Sequence, residues 1–174
     1  MKPHEEHRSR GPRELSFWIV TVSTSRYEAM ASGKSYTDES GDRAVALISQ
    51  AGYKVVGRSL VKDDVVMIRG ILMDLLRRPD VDVIVFTGGT GVARTDVTVE
   101  AVRPLLEKEL EGFGDVFRLR SYQEVGTAAI MSRALAGVSN GKLVVVLPGS
   151  PNAVETGLGI ILPEAPHIIY LARS

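Results

Sequence analysis

Cysteine is absent from the 174-residue chain, and histidine is confined to His4, His7 and His167. Disulfides, thiolate nucleophiles and cysteine-ligated zinc or iron–sulfur centres are therefore excluded. A His-rich metal centre or a Ser-His-Asp triad would have to use His167 or a residue of the N-terminal segment. No apolar run approaches the roughly 20 residues of a membrane span. Residues 1–13 lack the apolar stretch of a signal peptide. An excess of one charge is also missing, because 21 basic residues balance 21 acidic ones. Nucleic-acid binding and a polybasic membrane contact are disfavoured on that balance, which leaves small local anion sites open. The expected location is the cytoplasm. What is present is ordinary globular material, 44% hydrophobic and 24% charged. The length suits one domain, burying about 70% of its surface.

Along the chain, residues 1–13 read as a flexible tail, carrying two prolines and mixed charge. A single domain over residues 14–174 follows. Leu15–Val22 is the first expected strand. The polar stretch Ser23–Gly41 reads as a long and functional loop. A helix is expected over Asp42–Gln50, with Ala44, Leu47 and Ile48 on one face and Gly52 as its stop. Tyr53–Val61 reads as a strand, and Asp63-Asp64 opens a helix that runs to Arg77-Arg78. The run Val81–Phe86 (VDVIVF) has the β-branched content of a central parallel strand. It ends in Gly88-Gly89-Thr90-Gly91. Helix is expected over Val99–Leu110 and, with interruptions, over Gly112–Leu135. Lys142–Leu147 is a second central strand, ending in Pro148-Gly149-Ser150-Pro151. A final helix runs from Asn152 towards Ile169, with Pro163 and Pro166 limiting its regularity. The alternation predicts an α/β fold whose two glycine-rich turns sit where open parallel sheets bind ligands.

The GGTG turn after VDVIVF is the sharpest local signal. Glycines let backbone N–H groups approach an anion closely, and a following helix end adds positive potential. Neither GxxxxGK[ST] nor GxGxxG fits, because no lysine follows and Arg94 stands where a third glycine would be. Asp96 close behind would repel phosphate unless a divalent cation lay between, and Mg²⁺ favours one or two carboxylates with phosphate oxygens. Thr98 competes with Asp96 as the cap of the next helix. Asp63 and Asp64 suit a helix start, and Ser150 and Asn152 suit a capped turn. Arg26, Lys34, Arg43, Lys62 and Arg94 are each able to meet phosphate. Ser132-Arg133 reads as part of a helix interface.

The segments TGGTGVARTDVT (87–98), EGFGDVFRLRSYQEVGTAAIMSRALAGV (111–138) and LPGSPNAVE (147–155) occur in this order. Together they resemble the MoaB/MogA family of molybdenum cofactor biosynthesis proteins, and the MoaB branch most. The gephyrin G domain and its plant counterpart are similar to that family. The resemblance covers residues 15–170. It implies a three-layer α/β/α sandwich, Rossmann-like, with a mainly parallel sheet. It also implies Mg²⁺-dependent transfer of AMP from ATP to the terminal phosphate of molybdopterin, with pyrophosphate released. Asp96 and Asp63 would be the catalytic and Mg²⁺-holding carboxylates. Gly88, Gly89, Thr90, Gly91, Thr98, Ser40, Gly41, Pro148, Gly149 and Ser150 would bind nucleotide or molybdopterin. A homotrimer, or a hexamer of paired trimers, is implied, with contacts to other proteins of the same biosynthesis. The family's Ser-Asp element after the first strand is replaced here by Ser23-Thr24-Ser25-Arg26. Two other readings accompany it: a non-catalytic pterin- or nucleotide-binding assembly protein, and a CinA-like nucleotide pyrophosphatase. The GGTG turn and the GFGDVFR stretch weigh against the latter.

Overall fold

The computed structural model describes residues 3–174. In chain order its elements are α1 (Pro3–Arg10), β1 (Ser16–Val22), α2 (Thr24–Ala31), α3 (Glu39–Gln50), β2 (Lys54–Val61), α4 (Val65–Arg77), β3 (Val83–Thr87) and α5 (Thr98–Val102). There follow β4 (Lys108–Glu109), α6 (Glu111–Val125), β5 (Leu135–Ser139), β6 (Lys142–Leu147), α7 (Pro151–Ile161) and α8 (Ala165–Ala172). The strands form one sheet in the order β2-β1-β3-β6-β5-β4. Its β2, β1, β3 and β6 run parallel, and β5 and β4 run antiparallel to their neighbours.

Every residue of β3 and β6 is buried, as a strand covered on both faces requires. Alternation then sorts their side chains into two cores. Phe17, Ile19, Val83, Val85, Val145 and Leu147 pack beneath α3, α6, α7 and α8. Val20, Ile84, Phe86, Val144 and Val146 pack beneath α4 and α5. Each such side chain contributes about 1.5–3 kcal/mol on burial. The three-layer sandwich with a mainly parallel sheet is thus as the sequence implied. No described helix is long and apolar enough to cross a membrane.

The topology also marks a ligand edge. From β1 the chain crosses through α3 to β2 on one side, then returns through α4 to β3 on the other. These two helices cover opposite faces. Such a reversal opens a crevice at the carboxyl ends of the two strands that part, here β1 and β3.

Several expected elements are corrected. The segment read as a tail contains α1, which packs against α8 through an Arg8–Glu164 ion pair and a close approach of Gly11 to Pro166. The supposed loop Ser23–Gly41 contains α2, capped by Ser23, and α3 begins at Glu39 because Asp38 caps it. Helix over Val99–Leu110 stops at Val102. Pro104 lies in the tighter turn Arg103–Leu105, and β4 follows. The stretch to Leu135 ends as strand, not helix. Asn140 (φ +49°) and Gly141 (φ +68°) turn β5 into β6, a two-residue hairpin that an Asn-Gly pair between apolar runs specifies. The last helix is split into α7 and α8 around Pro163. Phe113 and Phe117 of α6 lie in the core.

At the sheet edge the register steps from Phe17↔Val55 to Trp18↔Gly57, a bulge that leaves Val56 unpaired. The Trp18 ring lies directly over Gly57, donates from Nε1 to Ser59 Oγ (2.9 Å), and sits under the Arg78 guanidinium (4.5 Å). A Cβ at position 57 would come within 2.2 Å of Trp18 Cζ3. Gly57→Ala is therefore expected to destabilise the fold by about 1–3 kcal/mol through overpacking. Urea denaturation followed by Trp18 fluorescence checks this, and an unchanged midpoint would contradict the packing described.

Candidate functional site

The GGTG turn closes the crevice between β1 and β3. Gly88 (φ +97°) and Gly89 (φ +68°) adopt left-handed conformations that only glycine takes without strain. The Gly88 N–H donates to the Leu147 carbonyl (2.9 Å), tying the turn to the end of β6. Thr98 Oγ1 donates to the Gly88 carbonyl (2.8 Å), and the Thr98 N–H donates to the Gly89 carbonyl (3.0 Å). Thr98 is fully buried and makes no side-chain cap of α5. It acts on the turn from beneath.

Asp63 and Asp96 flank this turn. A Cβ on Gly89 would lie 3.1 Å from Asp63 Oδ1, and one on Gly91 would lie 2.6 Å from Asp96 Oδ2. Each carboxylate spends one oxygen on the protein. Asp63 Oδ2 accepts from the Thr24 N–H (3.1 Å) and hydroxyl (2.9 Å), at the N-terminus of α2, where a negative charge is favoured. The Asp63 N–H donates back to Thr24 Oγ1 (3.1 Å). Asp96 Oδ2 accepts from the Ala93 N–H (3.1 Å). No described residue hydrogen-bonds Asp63 Oδ1 or Asp96 Oδ1. The neighbouring Asp64, not Asp63, caps α4, accepting from the Met67 N–H (2.8 Å).

The other predicted residues join the same edge. A Cβ on Gly149 would lie 3.2 Å from Gly88 Cα, so the Pro148–Ser150 turn rests on the GGTG turn. Ser40 Oγ donates to the Gly149 carbonyl (2.6 Å). The Gly41 N–H donates to the Asp38 cap (3.0 Å), whose other oxygen accepts from Thr21 Oγ1 (2.6 Å) and Arg58 Nη2 (3.0 Å). Ser150 caps α7, accepting from the Ala153 N–H (3.1 Å). Ser40, Gly41, Gly88, Thr90 and Thr98 are buried, and so hold the edge together; Gly89, Gly91, Gly149 and Ser150 reach its surface.

Two residues were missed in the sequence. Thr24 lay inside a supposed loop, and its signal was the Ser-Thr cap ahead of Arg26. Arg133 was read as a helix-interface residue, whereas it contacts the turn itself. Among the cations left open, Arg43 is paired with Glu155, Arg26 donates to the Thr37 carbonyl, and Lys62 sits over the Tyr27 ring. Arg94 is exposed on a cavity of about 410 Å³ that Gly91, Asp96, Glu100 and Arg133 also line. A larger cavity, about 560 Å³, lies by Tyr36, Asp42 and Arg58 and contains neither carboxylate of the turn.

Residues 18–167 match the family described as "Probable molybdopterin binding domain". The chain belongs to this family. The family match, the relatives and the solved structures agree with the MoaB/MogA resemblance seen in the sequence. A Methanocaldococcus jannaschii protein named "Probable molybdopterin adenylyltransferase" is 45% identical over 93% of this chain and 96% of its own. The Pyrococcus furiosus molybdopterin adenylyltransferase is 42% identical over 98% of each. A crystal structure of molybdenum cofactor biosynthesis protein B, 41% identical, superposes with a TM-score of 0.85 over 93% of this chain and 98% of that one. In this member of the molybdopterin-binding domain family, the edge after β1 carries a hydroxyl, Thr24, and no carboxylate. The hydroxyl orients the carboxylate that follows β2.

Proposed function

We propose that the chain is a molybdopterin adenylyltransferase of molybdenum cofactor biosynthesis. The observation that carries this reading is the pair of half-satisfied carboxylates, Asp63 and Asp96, on either side of a glycine turn at the sheet's switch point. The names of relatives matching nearly the whole chain supply the substrates, ATP and molybdopterin.

In the reaction a terminal phosphate oxygen of molybdopterin attacks the α-phosphorus of ATP. A new P–O bond forms, the bond between the α-phosphorus and the bridging oxygen breaks, and pyrophosphate leaves with that electron pair. The attacking phosphate is ionised at neutral pH, so no strong general base is required. That suits an edge whose polar groups are carboxylates, hydroxyls and backbone amides. Among the described residues no three His, Asp or Glu side chains cluster into a closed metal site. Mg²⁺ favours one or two carboxylates together with phosphate oxygens, and the unspent oxygens of Asp63 and Asp96 would supply the carboxylates. Asp63 and Asp96 would hold the ion, and its charge would offset that of the phosphates. Gly89 and Gly91 let the backbone approach the phosphates, and the buried ties from Thr98, Ser40 and Leu147 keep that backbone in place before substrate arrives. Rate then comes from positioning and electrostatics.

The chain works as a homo-oligomer, trimer or hexamer, in the cytoplasm. Supporting this, α4 exposes Val66 and Met73, and α6 exposes Val116, Leu119, Tyr122 and Val125. Apolar faces of that extent are uncommon on monomers.

The test is pyrophosphate release from Mg²⁺-ATP with and without purified molybdopterin. Release that depends on molybdopterin is expected. Molybdopterin binding without release would favour an assembly protein, and release without molybdopterin would indicate a CinA-like pyrophosphatase.

A further inference from the structure

We propose that Arg133 is a positioning residue that shapes the loop from Gly91 to Asp96 and so aims the free oxygen of Asp96. The inference rests on the adenylyltransferase reading for its effect on turnover, but not for its effect on the loop.

Arg133 comes from a distant part of the chain, between the tight helical turns Gly126–Met131 and strand β5. Its Nε is shared between the Thr90 and Gly91 carbonyls, 3.1 Å from each. Its Nη2 donates to the Gly91 carbonyl (2.6 Å) and the Asp96 carbonyl (3.3 Å). The far side of the guanidinium meets the Glu100 carboxylate on α5 through Nη1 and Nη2. This pairing holds the Glu100 carboxyl below the usual range, against a smaller opposing effect of burial. One planar cation thus gathers three carbonyl oxygens of one loop and is itself fixed from behind.

Two consequences follow from the chemistry. First, residues 91–97 belong to no helix or strand. Apart from Arg133, their internal ties are the Asp96 N–H to the Ala93 carbonyl (3.0 Å) and the Ala93 N–H to Asp96 Oδ2 (3.1 Å). Removing Arg133 leaves Asp96 on a loop held by those two bonds and by Thr98. Second, carbonyl oxygens repel phosphate oxygens. Here the carbonyls of Thr90, Gly91 and Asp96 are directed onto a cation, which removes that repulsion from a site taking polyphosphate. Lysine cannot reproduce the arrangement, because a single ammonium lacks the flat fork of donors.

The experiment uses the full-length chain with Arg133→Ala and Arg133→Lys, read in two independent ways. Trypsin cuts after Arg94, which is exposed on this loop, so cleavage there reports loop opening without substrate. Cleavage after Arg94 is expected to accelerate about tenfold or more in both variants, beyond the increase that any lowering of the urea midpoint for the whole fold accounts for. For adenylyl transfer, a displacement of about 1 Å predicts a kcat lower by about a hundredfold with KM for molybdopterin unchanged. Millimolar guanidinium is expected to restore part of the Arg133→Ala rate. Wild-type cleavage rates after Arg94 would overturn the proposal. So would loss of kcat that merely follows the unfolded fraction without guanidinium rescue, or full turnover in Arg133→Lys. If the unsubstituted chain transfers no adenylate, the functional reading falls, and the trypsin measurement still decides the role of Arg133.

Discussion

Asp96→Ala is expected to reduce molybdopterin-dependent pyrophosphate release by about 10²–10³-fold, the usual loss when one preorganised charge-stabilising group is removed. The cost in stability is expected to be only about 0.5–1.5 kcal/mol, because a single hydrogen bond, to the Ala93 N–H, is lost from a half-exposed loop. The turn beneath keeps its ties to Thr98 and Leu147. Asp96→Asn separates the two contributions. Its amide oxygen is still able to accept from Ala93, so stability should return nearly to that of the parent. The charge is gone, so turnover should stay as low as in Asp96→Ala. Steady-state release and urea midpoints on the three proteins check this. Asn at wild-type turnover would remove Asp96 from the chemistry.

Gly88→Ala is expected to have the largest effect on the fold among the glycine replacements. Two penalties coincide there. The backbone sits at φ +97°, which costs a non-glycine residue about 1–3 kcal/mol. The new Cβ would also lie 2.4 Å from the Val22 carbonyl oxygen, a backbone atom at the end of β1 that no rotamer change relieves. Forcing it in adds about 1–3 kcal/mol. Gly52 supplies the control, since its φ is +86° but a Cβ there would meet nothing within 4 Å. Gly52→Ala should show the conformational penalty alone. Urea midpoints for the two variants measure the difference, and equal losses would mean that Gly88 is not wedged as described. Any Gly88→Ala protein that folds should also have little activity, because its Cβ can fit only if the turn shifts from its place against the Val22 carbonyl.

The legible parts of this protein were those encoded by local pattern. VDVIVF and KLVVVL announce strands buried on both faces, because alternation disappears when neither face meets water. Helix α4 was visible from Val65, Ile68, Leu72 and Leu75 at helical spacing and from Asp64 as its cap. The Asn140-Gly141 hairpin was equally local, and was passed over because the helical reading ran to Leu135, where β5 in fact begins. Helix α2 was hidden by its polarity: it has no buried residue, so no apolar stripe marks it.

The sequence by itself determined the layered α/β architecture, the glycine turn after β3 and the presence of carboxylates near strand ends. Periodicity, turn chemistry and capping act over a few residues, and each leaves its mark in consecutive letters. Only the tertiary structure decided which atoms of the edge are spent and which are free. Thr24 and Asp63 meet across 39 positions, Ser40 and Gly149 across 109, and Arg133 reaches Gly91 across 42. Hydrogen bonds between such distant residues depend on the order in which strands pair and on where each loop leaves the sheet, and no local pattern of side chains encodes either.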